Sequence, residues 1–222
     1  MMFVISLMCL AFLFAPGYSA ISQNVLDFTY FFNGDMDTRE QYEAKTGHWL
    51  IEARMIPIKL KADEDAVAMY IEEAVNGTVQ MLQIGIVKDG DDGAVHMQIS
   101  DFTKYSDLKP FTYDYKSVED VQPKDMTTDD DCVAIMTFDP TPIMTGSFPD
   151  CRYTMADGKH PRITATYTCE SATAVFPSGP NDPLIEPYKF RLLRPKYPQV
   201  AASRDYIGPC DPRRRHQSKT EF

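Results

Sequence analysis

The alternation of apolar and polar positions changes character at Gly47. Ahead of it, Val25, Phe28 and Phe32 fall at helical spacing within the stretch from Ser22 to Phe32, and Gly34 stands where such a helix would stop. A short helix is expected there. Asp37 followed three residues later by Glu40 resembles a capping box and predicts a second short helix over "REQYEA". Beyond Gly47 come short runs rich in β-branched and aromatic residues: "HWLIEARMIPIKL", "AVAMYIEEAV", "TVQMLQIGIV", "AVHMQISDF", "CVAIMTF", "IMTGSF", "CRYTMA", "PRITATYTCESATAVF" and "PYKFRLLR". Gly, Pro, Asn and Asp clusters separate them, so the runs predict strands. Asn76-Gly77, the stretch "KDGDDG" at 88–93 and Asp157-Gly158 tolerate positive φ and supply turns. The stretch 105–131 predicts a loop with a helical turn near Val118. Eight or more consecutive strands with few helices imply an antiparallel meander, which hides its edges best by closing into a barrel. A barrel of about eight strands encloses room for one small ligand.

One run is ambiguous. "AMYIEEA" at 68–74 consists of good helix formers but leads directly into Asn76-Gly77, a strong hairpin signal. Propensity differences of less than ~1 kcal/mol per residue yield to tertiary pairing, so the strand reading is preferred. Tyr70, Glu72 and Ala74 then share one face and Met69, Ile71 and Glu73 the other. One of the two glutamates must point inward unless the strand is an edge.

Composition adds compartment and charge. Residues 1–20, "MMFVISLMCLAFLFAPGYSA", join a short uncharged apolar run to a helix breaker and small residues, which predicts a secretory signal peptide cleaved after Ser19. The run is short for a bilayer span, which takes about 17 to 25 apolar residues. About 200 residues remain, enough for one domain with a core, taken as residues 21–198. Cys9 leaves with the signal. Cys132, Cys151, Cys169 and Cys210 then imply two disulfides among three possible pairings. Cys132 and Cys151 begin neighbouring candidate strands, which can supply the roughly 4.4 to 6.8 Å Cα separation a disulfide needs, so these two are paired, and Cys169 with Cys210 by elimination. The net charge is −10, yet residues 189–222 hold nine Lys or Arg against three Asp or Glu, leaving −16 before them. So acidic a body argues against nucleic acid as a partner. Residues 199–222 are expected to be a basic, solvated tail.

Tyr70-Ile71-Glu72-Glu73-Ala74 resembles the Tyr-x-Glu-Gln-Ala strand of the CpcT/CpeT-type phycobiliprotein chromophore lyases, which attach linear tetrapyrroles to light-harvesting proteins. Gly34, Met36 and Gln41 are similar to that family's "G-x-F-x-N-x-x-Q" segment, and "ARMIPI" to the strand after it. Asp131-Cys132-Val133, Gly146-Ser147 and Cys151 resemble its Gly-Cys, Gly-Ser and Cys sequence, and "PYKFRLL" its closing Pro-Tyr-x-Phe-Arg strand. The resemblance runs from about Val25 to Arg194. It implies a calycin/lipocalin-like antiparallel β-barrel with short N-terminal helices, and it supports the Cys132–Cys151 pairing. Two positions differ: Met81-Leu82-Gln83 stands where the family has Arg-Gln-Arg, and Glu73 where it has Gln.

The candidate ligand-binding residues are Tyr70, Glu72, Arg54 and Gln83. Glu72, facing inward, would accept hydrogen bonds from pyrrole N–H groups, because a buried carboxylate without a partner shifts its pKa upward. Arg54 could instead pair with it across the sheet, and Tyr70 could fill core rather than stack on a ligand. The acidic turn at 88–93 misses calcium-loop spacing, and His48, His96, His160 and His216 are too scattered for zinc. No metal is expected. Asn76-Gly77-Thr78 is a glycosylation sequon. The function expected is a secreted barrel binding a linear tetrapyrrole (bilin) or a similar amphipathic molecule. The alternatives are an active bilin lyase, which the resemblance implies, and a secreted structural protein whose barrel is packed solid.

Overall fold

The computed structural model describes residues 21–91, 93–103, 108–139, 143–148, 163–175 and 186–217. The expected signal peptide, Cys151, the run "CRYTMA" and the Asp157-Gly158 turn lie outside them. Ten antiparallel strands form one closed barrel: β1 (Gly34–Asp37), β2 (Ile51–Leu60), β3 (Asp63–Val75), β4 (Thr78–Asp89), β5 (Val95–Asp101), β6 (Thr127–Asp139), β7 (Ile143–Ser147), β8 (Thr164–Tyr167), β9 (Ser171–Val175) and β10 (Tyr188–Leu192). Each strand pairs with its neighbour in sequence, and β1 pairs with both β2 and β10 to close the ring. "AMYIEEA" is strand throughout, in register with β2 from Ile51↔Val75 to Ile58↔Ala68. The turn after it has φ 49° at Asn76 and 83° at Gly77, as a tight hairpin of this sequence requires.

Two short helices precede the main sheet, as expected. α1 (Gln23–Phe31) is capped by Ser22, whose hydroxyl accepts from Val25 N at 3.1 Å and donates to Asp89 Oδ1 at 2.6 Å. That second bond ties the helix to the end of β4. Phe31 lies 6.5 Å from Phe138 at the end of β6, and Phe32 lies 5.5 Å from Tyr167 at the end of β8. The helix therefore stoppers one end of the barrel with aromatic rings. The capping box expected at Asp37 and Glu40 does not form. Asp37 completes β1, and α2 (Arg39–Glu43) starts after Thr38, whose hydroxyl bonds to Trp49 O and Ile51 N instead. β1 was not foreseen, because a four-residue "GDMD" offers one apolar side chain and no visible period.

The core has two layers. Inside the ring, Met36, Ala53, Met55, Met69, Ile71, Val95, Met97, Met136, Met144, Ala172 and Phe190 meet the helix aromatics. Outside it, Ile56, Ile58, Leu60, Ala68, Tyr70, Leu82 and Ile84 lie beneath residues 108–126, which run over β2, β3 and β4 and anchor Val118 in a 3-10 turn at Tyr115–Asp120. These strands are buried on both faces. That is why "ARMIPIKL" and "AVAMYIEEA" read as near-continuous apolar runs rather than as clean alternation. A bulge between Glu73 and Ala74, opposite Val79 and Met81, lets Val79 join the outer layer while Met81 stays on the inner one.

The basic C-terminal stretch differs from expectation. Cys210 is joined to Cys169 in the β8–β9 turn (S–S 2.04 Å). Tyr206 donates to Asp27 Oδ1 at 3.0 Å, and Arg214 Nη1 lies 2.6 Å from the same oxygen. A disulfide and a buried acceptor thus hold residues 199–214 against α1, where charge alone suggested a solvated tail.

Candidate functional site

The interior is not packed solid. A cavity of about 190 Å³ occupies the half of the barrel away from α1. Phe32 closes its floor. Its wall is mostly apolar and rich in methionine: Met36, Met55, Met81, Met97 and Met136 all contribute. Unbranched thioether side chains re-pack readily around shapes of different outline. Two wall glycines make room for them. A Cβ at Gly85 would sit 2.5 Å from the Met97 sulfur, and one at Gly146 would collide with the Met136 sulfur. The polar lining gathers at the other end, where Gln83 of β4 donates to Asp101 of β5 at 2.9 Å beside Thr127 and Thr128 of β6. Both threonines are exposed, so the cavity meets solvent there.

Glu73 stands on this inner wall. Strand alternation from Met69 and Ile71 aims it inward, next to Ala53 on β2 and Met81 on β4 in the ladder. Among the described residues no hydrogen bond or ion pair reaches its carboxyl. Burial raises its pKa from 4.5 to about 7. Burial likewise raises the pKa of Tyr167 on β8, and the charge of Glu73 raises it further. The two groups therefore sense each other across an otherwise greasy space.

The expected site residues divide between the two faces of the sheet. Gln83 lines the cavity. Tyr70, Glu72 and Arg54 carry their polar groups on the outer face, under the 108–126 cover. Glu72, with no exposed surface, accepts from Tyr70 Oη at 2.5 Å and from Phe111 N at 2.5 Å. Phe111 has φ 64°. Arg54 holds the same residue through its carbonyl, donating to Phe111 O at 3.2 Å with its guanidinium 4.7 Å from the Phe111 ring. The cross-sheet ion pair of Arg54 is made with Asp35 at 3.2 Å, not with Glu72, its ladder neighbour. Arg194 also pairs with Asp35, and Tyr197 donates to it at 2.9 Å. Tyr70 stacks against Tyr113 at 6.1 Å in the outer core. This cluster fastens the cover to the barrel. Strand alternation alone left open which of the two glutamates points inward; the parity of β3 turns the Glu73 side chain to the cavity and the Glu72 carboxyl to the covered outer face.

His48 is bonded at both ring nitrogens, to Thr46 Oγ1 at 2.7 Å and to Glu186 O at 2.8 Å. No metal-binding group of His, Cys, Asp or Glu occurs among the described residues. Asn76 is exposed, and its Oδ1 accepts from Leu50 N at 3.2 Å. Cys132 is a disulfide cysteine, and the partner expected for it, Cys151, lies outside the described residues.

Comparison with known proteins adds little to this geometry. No family model and no curated protein matches the chain. A solved structure of the CRL protein of Arabidopsis, in selenomethionine form, aligns over 77% of this chain and 96% of its own, with 14% identity and a TM-score of 0.43. At that similarity neither ligand nor activity transfers.

Proposed function

We propose that this chain is an exported carrier that holds a small amphipathic molecule inside its barrel. The cavity carries the reading: apolar and methionine-walled, closed at one end by α1 and polar where it meets solvent. Its roughly 190 Å³ exceeds the ~150 Å³ of an engineered cavity that admits benzene and falls below the roughly 300 Å³ at which drug-sized pockets begin. A ligand of one or two rings fits whole. A linear tetrapyrrole, the ligand to which the sequence resemblance points, would insert one end and leave the rest at the polar mouth. Export is supported by the apolar run at 1–20, by the Cys169–Cys210 disulfide and by the exposed sequon at Asn76.

Titration with N-phenyl-1-naphthylamine tests the carrier reading, with fluorescence expected to rise on uptake and to fall when biliverdin competes. Gly146→Leu, which fills the wall beside Met136, should abolish the rise. A signal unaltered by that substitution would place the probe elsewhere. Transfer of biliverdin to an acceptor cysteine would make the protein a lyase rather than a carrier. Expression in a eukaryotic secretory host should yield protein in the medium that loses mass on glycosidase treatment; retention in the cell would refute export.

A further inference from the structure

The two carboxylates under the barrel's cover are both partnered: Asp35 takes two arginines and a tyrosine, and Glu72 takes a hydroxyl and a peptide N–H. Glu73, on the inner face, has no partner among the described residues, and its carboxyl faces a space inside the ring that a molecule could occupy. An acid without a partner in an apolar wall is costly, and a chain that merely needed a filled wall would be served by any apolar residue at this position.

Resting on the carrier reading, we infer that Glu73 selects the ligand's class: a protonated amine whose ammonium N–H groups seat on the Glu73 carboxylate while its apolar body lies among Met55, Met81, Met97 and Met136. The surroundings suit that arrangement. Ala53 and Met81 flank Glu73 in the ladder without hydrogen-bonding groups. Tyr167, from β8, has its pKa raised by burial and by the charge of Glu73, so it stays neutral. Asp101, from β5, is engaged by Gln83 at the mouth, which Thr127 and Thr128 of β6 also line. Phe32 of α1, Met36 of β1, Phe148 after β7, the alanines of β9 and Phe190 of β10 bring no charge to the cavity. Among the described residues no cation lines it, so a cationic ligand meets no repulsion from them and supplies a partner for the Glu73 carboxyl. A neutral apolar ligand of the same shape gains the methionine contacts but leaves the carboxyl unsatisfied.

The test uses an isosteric pair, cyclohexylmethylamine and cyclohexylmethanol, each titrated calorimetrically into the full mature protein at pH 8 and pH 5.5. The amine should bind at least ~10-fold tighter than the alcohol at pH 8. An alkyl ammonium keeps its proton to about pH 10, so lowering the pH titrates the protein side alone, and the amine's advantage should fall about tenfold per unit below pH 7. In Glu73→Gln the amine-to-alcohol ratio should drop to about one at both pH values. Equal binding of amine and alcohol by the wild type at pH 8 would overturn the inference and leave the carrier reading standing. An amine preference that survives in Glu73→Gln would transfer the anchor to Asp101 and also overturn it. Failure of both ligands and of N-phenyl-1-naphthylamine to bind would remove the carrier reading itself. Should Glu73→Gln not fold, the pH series on the wild type decides: an amine affinity flat from pH 8 to 5.5 refutes the role of Glu73.

Discussion

Glu73 makes the empty barrel's stability depend on pH in a defined sense. Its carboxyl titrates near its ordinary 4.5 in the unfolded chain and near 7 in the folded one, because burial disfavours the charged form. Between those values the folded state holds a proton that the unfolded state has released. Stability from this group is therefore fully present below about pH 4.5 and is lost as the pH rises through 7. The shift corresponds to about 3 kcal/mol at 1.36 kcal/mol per unit, or roughly 6–12 °C in melting temperature for a domain of this size. Urea unfolding at pH 4.5, 6 and 7.5, with disulfides intact, measures it once Glu73→Gln is run in parallel. All other ionisable groups are common to both proteins, so their contributions cancel in the difference. The wild type should lose about 3 kcal/mol relative to the variant across this window, most of it between pH 5 and 7. Parallel stability curves would show that the carboxyl is solvated, and the account of the cavity wall would be wrong.

Further expectations concern the frame around the cavity. Replacing both Cys169 and Cys210 by serine opens a loop of 41 residues and should cost about 4 kcal/mol on the chain-entropy argument; an unchanged urea midpoint would refute it. Asp35→Ala leaves Arg54 buried without its carboxylate, for which a loss of about 3–5 kcal/mol is expected by chemical denaturation; a loss below ~1 kcal/mol would mean that solvent reaches the pair. Glu72→Gln weakens the hold on Phe111 by about 1.5–3 kcal/mol, so amide exchange at Phe111 should accelerate while binding in the cavity is kept. Weakened ligand affinity with an undisturbed Phe111 amide would return Glu72 to the binding site.

Much of the architecture is written in local chemistry. Asn76-Gly77 tolerates the positive φ of a tight hairpin, Ser22 supplies its own N-cap, and β-branched and aromatic runs bounded by breakers mark most strands, because each signal acts over a few residues. The ring of strands and the need for Cys169 and Cys210 to find partners follow from the same information. What the linear order could not decide is which face of β3 looks inward. Both faces are buried, one by the barrel and one by residues 108–126, so alternation carries no polarity, and Glu72 and Glu73 are equivalent until the cover is in place. The same long-range packing turned a basic tail into a brace through Asp27 and Cys210, and made a strand of "GDMD" because β2 and β10 needed an element to close the ring. Burial is a property of the assembled molecule, and the Glu73 carboxyl owes its raised pKa to that burial.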